Sequence, residues 1–291
     1  MSDYSPLMTV RTLALGGIAW NTMIYVDDFP EPRPQSFFSK GSHTTVGSSG
    51  AGKALNFATL GATSSLWGLL GDDEAGDKVR AYLAEHNVEL LVELDPKGTM
   101  RHVNLMNADG DRISIFAHYP SHEFAVDLTP VRPVARDADI VSVTIMNYCR
   151  QFLPMLRDLG KSTWIDIHDW DGANPYHDEF IASADYLFMS SSLHPHWRDF
   201  LESRVAAGTI AAVATHGAAG ASGITAGRGW VEVPAVPVDR IVDTNGAGDA
   251  FLAGFAMAWL QTDDLDASLW AGAAHAARAV QSTELAPVLP E

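Results

Sequence analysis

The chain has 291 residues, a formal net charge of −17, 47% hydrophobic and 19% charged residues. That length and apolar content suit one large α/β domain spanning residues 1–291 and argue against disorder. The acidity argues against a nucleic-acid partner, and a lone cysteine, Cys149, rules out an internal disulfide or a cysteine-built zinc site.

The N-terminal "MSDYSPLMTVRTLALGG" lacks a basic start followed by a long apolar run, and no stretch is apolar enough to span a membrane. A soluble, cytoplasmic protein with no membrane partner is expected. "VRTLALGGIAW" reads as a buried strand ending in glycines. "MIYVDDFPEPRPQSFF" starts like a strand and then meets three prolines, so it is extended and not helical. "GSHTTVGSSGAGKALNFATLGA" passes from a Gly/Ser loop into a helix of small residues. "SSLWGLLGDDEAG" is a strand and turn, "DKVRAYLAEHNV" an amphipathic helix, and "HVNLMNADGDRISIF" a hairpin.

Thereafter strands and helices alternate. The strands are "DADIVSVTIM", "STWIDIH", "DYLFMSS" and "IAAVATHG"; the helices are "RQFLPMLRDLG", "DEFIASA" and "HWRDFLESRVAAG". "GASGITAGRGWVEVPA" reads as a second hairpin and "VPVDRIVD" as a strand, before the helices "AFLAGFAMAWLQ" and "LDASLWAGAAHAARAVQS". Alternation implies a doubly wound, mostly parallel sheet covered on both faces. Two strand pairs, near 22–45 and 99–117, break it and are expected to form a small β-sheet lid.

"DTNGAGDAF" (243–251) carries the chemistry. Its glycines and the following helix start turn backbone N–H groups toward one point, an anion hole suited to a phosphoryl group. Asp249 at that mouth is placed to take a proton from a hydroxyl. Asp and Gly also suit an ordinary helix cap at such positions.

The whole nonapeptide resembles the signature of the ribokinase-like (PfkB-type) carbohydrate kinases, a family with a Rossmann-like core and a β-sheet lid. The resemblance implies an ATP- and Mg²⁺-dependent kinase acting on a sugar or nucleoside hydroxyl. Asp249 would be the base, with Gly246, Ala247 and Gly248 as the anion hole. "VGSSGAGKALNFATLGATSSLWGLLGDDEAG" resembles the family's sugar-contacting loop and helix. It implies an acceptor site of Asn21, Gly47, Ser48, Gly50, Ala51, Gly52 and Asp249. "THGAAG" resembles the T-x-G-x-x-G that wraps the ATP phosphates, which brings Thr215, Gly217 and Gly220 to the nucleotide. Ser190 would join them. Gly272 and Ala273 either flank the adenine or belong to a tightly packed core helix. A homodimer through the lid is also implied.

The sequence departs from the family pattern at four places. Asn21 stands where many members carry Asp, keeping an acceptor but dropping the charge. Gly52 stands where Asn is usual, and Lys53 beside it either meets an anionic substrate group or is a solvated helix lysine. Ser190 and Leu193 replace the Asn and Glu of the N-x-x-E motif that organises Mg²⁺. "STELAP" replaces a turn near a monovalent-cation site, leaving Asp243 to hold K⁺. These departures keep two alternatives open: a nucleoside kinase, or a catalytically degenerate sensor of sugar or nucleotide. "HDWDG" offers a metal site or a solvated loop, "HPHW" a ligand pair or a helix start, and Trp20 a stacking platform or core packing.

Overall fold

A computed structural model describes residues 9–108 and 110–287; the first eight residues of the N-terminal stretch read above for a leader lie outside them. The first half of the chain runs β1 (Arg11–Leu15), β2 (Ala19–Tyr25), β3 (Gly41–Gly47), α1 (Ser49–Thr59), β4 (Thr63–Leu70), α2 (Glu74–Glu85), β5 (Val88–Leu94), β6 (Met100–Met106), β7 (Arg112–His118) and α3 (Val131–Asp137). The second half runs β8 (Ile140–Val143), α4 (Phe152–Asp158), β9 (Thr163–Asp166), α5 (Asp178–Ala182), β10 (Tyr186–Ser190), α6 (Trp197–Ala206), β11 (Ala211–Thr215), β12 (Ala221–Thr225), β13 (Gly229–Val233), α7 (Ala247–Thr262) and α8 (Leu265–Ala279).

Nine strands form one sheet in the order β13-β12-β11-β10-β9-β8-β1-β4-β5. The pairings from β11 to β5 are parallel, and β12 and β13 close one edge as an antiparallel hairpin. Central strands are apolar on both faces, as a sheet covered on both sides requires: Leu13, Ala14 and Leu15 of β1 are wholly buried. One face packs on α3 through α6 around Phe152, Leu156, Phe180 and Leu201. On the other, α7 and α8 cover Trp164, which stacks on Tyr186 with centroids 3.6 Å apart. Cys149 lies wholly buried in the first of these cores, its thiol pushed up by burial.

The other four strands form a separate sheet, β3-β2-β6-β7. Its two halves come from the segments that break the alternation: β2 pairs antiparallel with β3 and parallel with β6, and β6 pairs antiparallel with β7.

In "VRTLALGGIAW" the strand ends at the glycines as expected: β1 stops at Leu15, and Ala19 and Trp20 open β2 in the other sheet. The break falls at Gly16, where a Cβ would stand 2.1 Å from Thr144 Oγ1, so the chain crosses close beside β8. One strand assignment differs from the sequence reading. "VPVDRIVD" joins neither sheet; Val242 N–H instead donates to the Val280 carbonyl at 2.7 Å, beyond the end of α8. No helix among the described residues is long and apolar enough to cross a membrane.

Candidate active site

Strand order reverses between β1 and β8, the switch point beside which open α/β sheets bind ligands. A cavity of about 750 Å³ opens there. Thr144, Asp166, Ser190 and Thr215, at or just past the ends of β8, β9, β10 and β11, form one side; Asn21, His102, Asn104 and Phe116 of the small sheet form the other.

The start of α7 forms its floor. Gly246 caps the helix at φ 80°, in the left-handed region, and a Cβ there would meet Leu285 Cδ1 at 2.8 Å. Asn245 N–H donates to Asp243 Oδ1 at 2.7 Å and Ala247 N–H to the Thr244 carbonyl at 3.3 Å. The N–H groups of Gly246, Gly248 and Asp249 have no protein acceptor among the described residues. Gly246, Gly248 and Asp249 all line the cavity, so free donors and a carboxylate share one helix mouth. Ala247 of the expected trio does not line it.

Asp249 is buried and tightly held. Its Oδ1 accepts from Ser49 Oγ at 2.6 Å and from Lys53 Nζ at 2.5 Å. Lys53 also donates to Ser49 Oγ at 2.6 Å and lies 3.6 Å from Asp166 Oδ2. Lys53 is therefore no solvated helix lysine: it is 0% exposed and ion-paired to two carboxylates. Burial alone would depress its ammonium, but the Asp249 and Asp166 charges outweigh that and hold it above the usual lysine value. Burial alone would likewise raise Asp166, yet His168 and Lys53 hold it below the usual carboxylate range. Gly52 makes the arrangement possible, because a Cβ there would stand 2.3 Å from Asp249 Oδ2.

The wall opposite is polar and unsatisfied. Asn21 Oδ1, Asn104 Oδ1 and His102 Nε2 are buried without a hydrogen-bond partner, although all three residues line the cavity. Such groups are costly unless a ligand meets them. His102 is neutral, pushed down to about 4 by burial and by the Arg112 charge. Gly47 lies against Asn21, whose Nδ2 a Cβ would approach to 1.9 Å. Ser48 lines the cavity at φ 76°, a strained setting for a non-glycine residue. Gly50, Ala51 and Gly52 sit behind that surface: Ala51 N–H donates to the Gly17 carbonyl at 3.2 Å, and Gly50 allows the same close approach. Arg112 of β7 donates to Asn245 Oδ1 and Thr244 Oγ1 to the Gly110 carbonyl, so the small sheet and its hairpin touch the loop ahead of α7 directly.

A family model described as pfkB family carbohydrate kinase matches residues 18–291. The chain belongs to this family. Among curated proteins, it is 33% identical to the acarbose 7(IV)-phosphotransferase of an Actinoplanes species, over 90% of this chain and 89% of that one. It is 29% identical to the fructoselysine 6-kinase of Escherichia coli K12, over 73% of this chain and 80% of that one. The solved structure of a microbiome-derived acarbose kinase aligns with TM-score 0.86 and 29% identity, over 94% of this chain and 93% of that one. The pfkB family assignment makes this protein a phosphotransferase with a hydroxyl acceptor, built on the ribokinase-like fold.

Other positions expected of a pfkB kinase divide into cavity and support. Ser190 and Thr215 line the cavity. Gly217 and Gly220 shape the turn beside Thr215 at φ 57° and 102°, and a Cβ on Gly220 would meet the Val233 carbonyl at 2.1 Å. Gly272 packs α8 against α7, where a Cβ would stand 2.9 Å from the Phe251 carbonyl, and Ala273 is buried in the same core. Asp243 is buried, and burial pushes its carboxyl up against the pull of the Asn245 N–H.

In "HDWDG", Asp171 accepts from the N–H groups of Ala173 and Asn174, as a loop carboxylate does. Among the described residues no group of three His, Cys, Asp or Glu side chains is placed to hold a metal. His194 packs on Trp170 and Phe200 ahead of α6, so "HPHW" is a helix start. Trp20 does not line the cavity; it packs on the core under α1, with Lys78 Nζ 5.8 Å from its ring centroid. Asp166, His102, Asn104 and Arg112 line the cavity without having been expected there. Asp166 had a sequence signal, an acid ending the strand "TWID" directly after Trp164 and Ile165.

Proposed function

We propose that this pfkB-family chain transfers the γ-phosphate of ATP to a hydroxyl of a carbohydrate, with Asp249 as general base. The observation that carries this reading is the sharing of one helix mouth by the Asp249 carboxylate and the unpaired N–H groups of Gly246, Gly248 and Asp249. The acceptor O–H bond breaks and its proton goes to Asp249 Oδ2. The acceptor oxygen forms the new bond to the γ-phosphorus, and the bond to the bridging oxygen breaks to release ADP. The free N–H groups meet the phosphoryl oxygens as charge moves onto them.

The acceptor lies against Asn21, His102 and Asn104, whose orphaned atoms match a polyhydroxyl ligand. ATP lies along Ser190, Thr215 and the Gly217–Gly220 turn. Mg²⁺ would be held with the nucleotide phosphates there and would supply the positive charge that offsets theirs. Asp243 is the carboxylate offered to K⁺. The small sheet acts as a lid over the acceptor, and through its outer face two chains form a homodimer in the cytoplasm.

An ADP-release screen over acarbose, hexoses, fructoselysine, ribose and adenosine, in K⁺ and in Na⁺, tests the reading. Acarbose heads the panel because a curated relative and a solved neighbour are named for it. Asp249→Asn is expected to fold and to lower kcat by about 100- to 10,000-fold. Unchanged turnover in that variant would falsify the assignment of the base.

A further inference from the structure

We infer that Lys53 is a positioning residue for the phosphoryl transfer, fixing the Asp249 carboxylate with one oxygen tied and the other free. The inference rests on the kinase reading above and adds a residue pair to it. Asp249 Oδ1 takes both contacts, from Lys53 Nζ at 2.5 Å and Ser49 Oγ at 2.6 Å. Oδ2 has no protein hydrogen bond among the described residues, and it is the oxygen that Gly52 leaves room for. A base held by one oxygen presents the other in a single direction, which is what proton abstraction from an oriented hydroxyl needs.

Charge gives a second reason. The groups in contact with Lys53 are Asp249 from α7, Asp166 from β9 and Ser49 from α1, and His168 faces Asp166 at 3.5 Å. Without Lys53, two buried carboxylates would stand beside the anion hole and oppose the charge that gathers on the phosphoryl oxygens during transfer. With it, their charge is partly neutralised at the place where the phosphoryl group must sit. Such a cation has to be internal, because a solvent-facing lysine would be screened and mobile. Lys53, with no exposed surface, meets that requirement.

The test is steady-state kinetics over a pH series for wild type, Lys53→Met and Lys53→Met/Asp166→Asn, with thermal melting of each. Lys53→Met is expected to lower kcat by about 100-fold, to leave KM for ATP and acceptor within about threefold, and to move the acidic limb of the pH–rate profile to higher pH. The double variant removes the orphaned second carboxylate, so it regains melting temperature without regaining kcat. A purely structural lysine would give the reverse, with kcat restored alongside stability. The inference is overturned by wild-type kcat and an unmoved acidic limb in either variant. It is equally overturned if neither variant folds, since a pair needed only for folding accounts for that. A wild-type protein that releases no ADP on any acceptor sinks the kinase reading itself. An active wild type matched by Lys53→Met sinks only the role of Lys53.

Discussion

A Cβ at position 52 would stand 2.3 Å from Asp249 Oδ2 and 2.9 Å from its Cγ, closer than real side chains approach. Gly52→Ala therefore has to displace the carboxylate or the start of α1. Because the displaced group is the proposed base, kcat is expected to fall by about 100-fold, with a lowered melting temperature from the crowded ion pair. A variant with wild-type kcat would show that the base tolerates the shift. Asp249 itself was legible in the sequence, since glycines, helix start and carboxylate lie within nine consecutive residues. Lys53 was not. Its burial depends on Asp249, 196 positions away, and on Asp166 from a third element, and neither pairing leaves a local trace. Asn21 was legible as a candidate and lines the cavity, but His102 and Asn104 beside it on β6 were not, because strand register is set by pairing and not by spacing.

The elements divide along the same line. Strands flanked by helices were legible because a buried parallel strand is continuously apolar and its helix is amphipathic. The loop "VPVDRIVD" imitates a strand in its apolar composition, yet it pairs with neither sheet and is held instead beyond the end of α8, where Val242 N–H meets the Val280 carbonyl. The edge strand β5, "VELLVEL", and the short α3 left too weak a pattern for assignment. In β7 the alternation has a direct reading: Ser114 and Phe116 face the cavity, while Ile113 and Ile115 point the other way and are 42% and 49% exposed. Two isoleucines on the outer face of a small sheet suit burial by a second copy. Solution scattering is expected to give twice the chain mass, and Ile113→Asp/Ile115→Asp to give the chain mass. A wild-type monomer at micromolar concentration would remove the dimer.

For the molecule as a whole, two buried histidines set a pH limit. His102 and His275 are both pushed down to about 4, chiefly by burial. His275 Nε2 lies 2.9 Å from Asn56 Oδ1, and its Nδ1 is buried without a partner. Asn56 Nδ2 already donates to the Gly52 and Leu285 carbonyls, so its Oδ1 is the acceptor and His275 carries its proton on Nε2. The unfolded chain binds protons at both histidines below about 6.5, whereas the folded chain does not until about 4. Stability is thus expected to decline as pH falls through that window, by up to about 1.4 kcal/mol per pH unit for each histidine. Asp243, raised by burial, opposes this near the acid end. Urea midpoints measured at pH 7, 6 and 5 check the slope, and a flat profile would contradict it.

Cys149 supplies an internal gauge for such experiments. It is the sole cysteine, wholly buried, with a thiol that burial keeps protonated, so reagents and oxidants meet no reactive thiolate in the folded state. Labelling of that thiol has to wait for the surrounding core to open. Its rate therefore reports the opening equilibrium under native buffer, without denaturant. Spectroscopic probes attached through cysteines engineered into the small sheet would likewise meet no competing background from the native chain.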